Sequence, residues 1–157
     1  MNSDPFVRIL EARGLVILDG GLATALEDQG HVLADELWSS RLLRDDPEAI
    51  LMAHTRYLDV GADCITTASY QASCAGFAAA GIGRDEATSL LARSTELARE
   101  AIDKRKPSST LSPIVAASIG PYAAFLADGS EYNGRYEADA GAIKAFHQDR
   151  WTVLADS

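Results

Sequence analysis

Basic charge, thiols, histidines and long apolar runs are all scarce in this sequence, and each scarcity removes a class of function. Lys and Arg number 14 against 23 Asp and Glu, a formal net charge of −9. A chain of that sign repels phosphate backbones and anionic headgroups, so no nucleic acid and no membrane surface is expected as a partner. The one basic run, Lys104, Arg105 and Lys106, stands at an expected helix end, where cations complement the helix dipole. No apolar stretch approaches the roughly 20 residues that span a bilayer. The opening residues MNSDPFVRILEARG have no apolar block of the secretory kind. A cytoplasmic location is the expectation. The only thiols, Cys64 and Cys74, suit a reducing compartment, and their spacing matches no metal signature. His31, His54 and His147 form no HxxxH pair and are read as surface or packing residues. P-loop and GxGxxG sequences are absent, which leaves nucleotide binding by those routes without support.

What is present is a chain of 157 residues, 47% apolar and 24% charged, the composition of one soluble domain at most. Residues 15–18 (LVIL) close on Asp19-Gly20-Gly21, and a short continuous apolar run suits a strand covered on both faces. Asp46-Pro47-Glu48 is a helix start, with a capping residue, Pro at the first helical position and an early acid. The helix is expected to run to Gly61 and to bury Ile50, Leu51, Ala53, Tyr57, Leu58 and Val60. Residues 64–70 (CITTASY) read as a second strand and 74–83 as a small-residue stretch. A strong helix is expected over 85–102, then a connector over 108–113 and a third strand over 114–119. Residues 122–136 carry Gly129, Gly134, Asp128 and Asn133 and read as a long polar loop with aromatic inserts. A last helix is expected over 139–154, burying Ile143, Phe146, Trp151 and Leu154. Residues 1–14 are an N-terminal extension or helix. Strand starts fall about fifty residues apart and alternate with helices, the pattern of a parallel sheet with crossover connections. The last helix stops where a fourth strand would begin.

In closed parallel barrels the working residues lie at C-terminal strand ends. Three places meet that criterion: Asp19-Gly20-Gly21, Ser69-Tyr70-Gln71, and Gly120-Pro121-Tyr122 with the loop that follows. The Asp19 carboxylate would accept hydrogen bonds from an ammonium group, and Gly20 and Gly21 would let backbone N–H groups approach a carboxylate. Against this stands a plain turn in which Asp caps the next helix. Tyr70 offers a phenol for hydrogen bonding or a ring face for a cation. Thr66, Thr67 and Ser69 serve equally well as packing residues. Asp128, Glu131, Arg135 and Glu137 read as a solvated rim, with a lid as the alternative because of the loop's length and glycines.

Four segments in register, DGGLATALEDQG (19–30), LWSSRLL (37–43), GADCITTASYQAS (61–73) and SIGPYAAFLADGSEYNGRY (118–136), resemble the homocysteine S-methyltransferase family. The similarity is greatest to the members that use S-methylmethionine or S-adenosylmethionine. The resemblance implies an α/β fold, a (β/α)8 TIM barrel, and methyl transfer from a sulfonium donor to the thiol of homocysteine, giving methionine. It implies a substrate-binding set of Asp19, Gly20, Gly21, Ser69 and Tyr70, with small molecules as the partners; it sets no oligomeric state. The family's catalytic zinc is held by three cysteines, to which Cys64 and Cys74 do not correspond, so the ligands are expected beyond Ser157. Such a barrel ordinarily takes roughly 250 residues. The chain is therefore expected to be the N-terminal portion of a single barrel domain, about its first three βα units. It is expected to be inactive alone; a non-catalytic, self-associating half-barrel or amino-acid-binding module is the alternative.

Overall fold

The computed structural model describes residues 4–33, 37–105 and 111–157. Lys106, Pro107 and the start of the expected connector lie outside the described residues.

Polar residues flanking apolar runs set the helix boundaries. Asp4 accepts the Phe6 N–H (2.9 Å) and Pro5 opens helix α1 (Pro5–Arg13), which Gly14 ends in a left-handed conformation (φ 76°). The next helices are α2 (Leu22–Glu27), a 3-10 turn at Trp38–Arg41, and α3 (Leu42–Asp45). Asp46 caps α4 (Pro47–Asp59) by accepting the Ala49 N–H at 3.2 Å, the arrangement its sequence predicts. Strand β1 (Cys64–Thr66) leads to α5 (Cys74–Ala79), capped by Ser73, whose hydroxyl accepts the Gly76 N–H at 3.0 Å. The long α6 (Arg84–Lys104) precedes strand β2 (Ile114–Ala116). Short helices α7 (Tyr122–Leu126) and α8 (Ser130–Asn133) follow, and α9 (Ala140–Asp156) is capped by Asp139.

This is a mixed α/β architecture whose centre is a parallel pair, Cys64 opposite Ile114 and Thr66 opposite Ala116. Residues 15–18 run alongside as a third line. They are joined by a single bridge, Leu18 to Cys64, in which the Asp19 N–H reaches the Cys64 carbonyl at 3.0 Å. The expected first strand is thus only a bridge. Leu15, Ile17 and Leu18 are exposed, and with no described neighbour on the outer side a full ladder does not form. The other two strands are also shorter than expected: past Thr66 and Ala116 the ladder thins to the Thr67 N–H on the Ala116 carbonyl (3.0 Å) and the Gly120 N–H on the Tyr70 carbonyl (3.1 Å), with side-chain cross-links between them.

Helices α4 and α6 pack on each other, α4 over β1 and α6 over β2, and the core runs through Leu26, Ile50, Leu58, Ile65, Phe77, Leu91 and Leu97. Expected and observed buried faces differ at two helices. On α4, Val60 is exposed and Tyr57 half-buried, and His54 is buried instead. On α9, Trp151 faces outward and the buried side chains are Arg150 and Leu154. The small-residue stretch 74–83 holds α5, and the expected polar loop 122–136 holds α7 and α8. In the second case Tyr122 and Phe125 stack against Phe146 of α9 at ring distances of 5.1 and 5.3 Å, an apolar anchor that the polar composition concealed.

Candidate functional site

The C-terminal ends of the three parallel lines open onto a cleft of about 340 Å³, at the small end of the range for small-molecule sites. Its lining includes Gly20, Gly21, Thr66, Tyr70, Ser118 and Glu131. Three segments distant in the chain therefore meet there, as the strand-end criterion predicts.

Asp19 does not cap α2: the capping position is Gly21, with no side-chain bond. Its carboxylate turns to the neighbouring strand, where Oδ2 accepts the Thr66 N–H at 2.8 Å and both oxygens accept the Thr66 hydroxyl at 3.0 and 2.9 Å. Burial holds the Asp19 carboxyl above the usual carboxylate range, outweighing the Thr66 hydrogen bonds that pull it down. Among the described residues no cation pairs with it. Asp19 is half-buried beside Thr66, which itself lines the cleft.

The two glycines earn their place differently. A Cβ on Gly20 would lie 2.8 Å from the Tyr57 ring, while Gly21 gives its carbonyl to the Tyr57 hydroxyl at 3.0 Å. Tyr57 of α4 thus braces the glycine corner from behind.

Ser69 is fully buried, and its hydroxyl donates to the Ser118 carbonyl (2.7 Å) while lying 2.6 Å from the Thr67 hydroxyl. It does not line the cleft. It joins the ends of the second and third parallel lines, with the Ser118 N–H donating to Thr67 Oγ1 at 2.9 Å. Tyr70 is half-exposed at the cleft wall, its hydroxyl 3.4 Å from Glu131 Oε2. Burial and the Glu131 charge push its phenol up.

Sequence reasoning missed Arg150. This α9 side chain is 1% exposed and donates to the carbonyls of Gly120 (2.9 Å), Ser69 (2.9 Å) and Tyr70 (2.7 Å). Its guanidinium also lies 5.3 Å from the Phe146 ring centre. Burial pulls it down to about 10, still fully charged at neutral pH. One rigid fork therefore closes the main chain behind Tyr70. Gly120 is required there, because a Cβ would stand 2.5 Å from the Tyr70 carbonyl oxygen. The only available signal was a charged residue between Phe146 and Leu154 on an apolar face.

Cys64 is buried in β1, its thiol pushed up by burial, and Cys74 is half-buried at the start of α5. Among the described residues no three His, Cys, Asp or Glu side chains are grouped to hold a metal ion. Among them, too, no helix is long and apolar enough to cross a membrane.

Fold and cleft together define an α/β protein with an amino-acid-sized pocket at the C-terminal ends of parallel strands. The family model for homocysteine S-methyltransferase matches residues 16–157. The chain is 43% identical over 160 residues to the homocysteine S-methyltransferase of Escherichia coli (strain K12), covering 99% of this chain and 51% of that protein. It is 45% identical over 159 residues to the selenocysteine Se-methyltransferase of Brassica oleracea var. italica, covering 94% of this chain and 46% of that one. Its structure matches the metallated form of the E. coli homocysteine methyltransferase MmuM with a TM-score of 0.87 at 44% identity, over 98% of this chain and 54% of that one. This chain belongs to the homocysteine S-methyltransferase family. It spans about half the length of the curated relatives it matches.

Proposed function

We propose that this chain supplies the amino-acid-gripping half of a methyltransferase that moves a methyl group from a sulfonium donor, S-methylmethionine or S-adenosylmethionine, to homocysteine. The observation that carries the reading is the corner at residues 19–21. There a half-buried carboxylate, paired with no cation among the described residues, stands beside two glycines that line a cleft walled by Tyr70. An amino acid head fits that chemistry: its ammonium compensates Asp19, and its carboxylate meets main-chain N–H groups that Gly20 and Gly21 leave uncovered. Tyr70 adds a hydroxyl at the wall, and Ser69 holds the strand ends in register behind it.

In the transfer itself the homocysteine sulfur forms a bond to the methyl carbon as the carbon–sulfonium bond breaks. The donor leaves as a neutral thioether, and the thiol proton passes to solvent. A thiol of pKa about 8.5 is mostly protonated at neutral pH and must lose that proton to react. Zinc would supply that activation in the whole enzyme, where the parallel strands would form the opening part of a (β/α)8 barrel. The described residues do not fit a zinc site, and what they contribute is binding and orientation. The 157 residues alone are expected to bind homocysteine without forming methionine, in a reducing, cytoplasmic setting that suits two free thiols.

Calorimetric titration of homocysteine into the purified chain and its Asp19→Asn variant tests the reading. Binding that weakens about tenfold in the variant is expected, the loss of one charge-assisted contact. Equal affinity in the two proteins would remove Asp19 from the site.

A further inference from the structure

One carboxylate, that of Glu131, lines the cleft itself, from a segment that composition alone reads as solvated rim. Glu131 belongs to α8, and a set of local bonds fixes that turn. Asp128 Oδ1 accepts the Ser130 N–H at 2.9 Å, and the Gly134 N–H reaches the Ser130 carbonyl at 2.8 Å. Gly129 and Gly134 (φ 81° and 68°) supply the left-handed turns on either side. Glu131 is thereby set against Tyr70, 61 positions away in the chain, with a hydroxyl-to-carboxylate distance of 3.4 Å. Tyr132 lies in the same lining with its ring 87% exposed. Among the described residues neither Lys nor Arg lines the cleft or pairs with Glu131.

One carboxylate flanked by two phenols, open to solvent and without a cation, is suited to a positively charged ligand. The carboxylate supplies charge, and the ring faces supply the negative side of the aromatic quadrupole. The Tyr132 phenol is pushed up by Glu131, as expected for rings gathered around a negative centre. The proposed acceptor, homocysteine, is a zwitterion whose ammonium is already met by Asp19. A second negative group at the cleft mouth therefore calls for a second cation.

We infer that Glu131, with Tyr70 and Tyr132, forms the subsite that reads the positive charge of the sulfonium donor. The inference rests on the proposed methyltransferase reading and adds to it the residues that distinguish a sulfonium from an uncharged side chain. The positive charge disappears on transfer, because donor and product both end as neutral thioethers. Glu131 therefore stabilises the bound donor more than the transition state. It governs selection of the donor and release of the product, and is not a catalytic residue.

Calorimetric titration of the chain with S-methylmethionine, with its uncharged carbon isostere 2-amino-5-methylhexanoic acid, and with homocysteine tests this. The wild type is expected to prefer the sulfonium over the isostere by about fivefold, the upper range of a solvent-exposed cation–aromatic contact. Glu131→Gln removes that preference and leaves homocysteine affinity unchanged, while Tyr132→Leu reduces it in part. Both substitutions are at solvent-accessible positions, and an unchanged circular dichroism spectrum confirms that the fold persists. Homocysteine binding with no sulfonium preference, or a preference that survives Glu131→Gln, would overturn the donor subsite alone. A wild type that binds none of the three would overturn both readings.

Discussion

Asp19 and Asp63 stand at opposite ends of the same parallel lines and do the same local work, yet only one is closed. Asp63 accepts the Ile17 N–H at 3.0 Å and pairs with Arg13 of α1, so its charge is answered within the chain. Asp19 accepts the Thr66 N–H and hydroxyl and has no cation among the described residues. The difference separates a structural end from the proposed binding end. An internally paired carboxylate ties the N-terminal helix to the sheet, whereas an unpaired one stores a demand for an external positive group. Arg150 sharpens the contrast: the cation buried at the binding end is spent entirely on main-chain carbonyls and leaves the carboxylates there uncompensated.

The most damaging way to break this comparison is Arg150→Met. Three carbonyls lose a charged donor at once, that of Tyr70 keeping the Gly120 N–H, and a cost of about 3 kcal/mol is expected, read as a lower midpoint in urea unfolding. A midpoint like that of the wild type would show the fork to be dispensable.

His54, away from both ends, serves as the control for buried charge. Burial pulls it from 6.5 down to about 4, so the folded state resists protonation. Well above pH 6.5 the residue is neutral folded and unfolded and adds no pH dependence. As pH falls from 6.5 to about 4 the unfolded chain binds the proton first, and stability declines by up to about 3 kcal/mol before levelling off. His54→Leu should flatten that part of the stability–pH curve, and an unchanged slope would assign the acid sensitivity elsewhere.

At the structural end, Asp63→Ala strands the Ile17 N–H and frees Arg13. About 1–2 kcal/mol of stability is expected to go, with homocysteine affinity untouched. Asp19→Asn is the mirror test, a tenfold loss of affinity (about 1.4 kcal/mol) with less than that lost from stability. Because burial holds the Asp19 carboxyl high, homocysteine affinity should also fall on acidification before an ordinary carboxylate would titrate. A pH-independent affinity between pH 4 and 7 would contradict that.

Local signals account for much of this. Asp46-Pro47 and Asp139 cap the helices that their positions announce, and the strand-end segments represented by Gly20, Tyr70 and Ser118 converge as the alternation of elements requires. Where expectation failed, a long-range contact had overruled a local one. Trp151 has the greater apolar surface, but Arg150 occupies the buried side of α9 because three strand-end carbonyls wait there. The 122–136 segment is polar in composition, yet Tyr122 and Phe125 find Phe146 and fold it.

Periodicity and capping chemistry act within a few residues, and so the sequence by itself determined the long helices α4, α6 and α9, the order of the parallel lines and the carboxylate–glycine corner. Which charges go unanswered depends on atoms brought together from positions 19, 66, 70, 131 and 150. Only the tertiary structure decided that Arg150 satisfies main-chain carbonyls while Asp19 and Glu131 do not receive it, because a hydrogen-bonding fork buried at one place is unavailable at another.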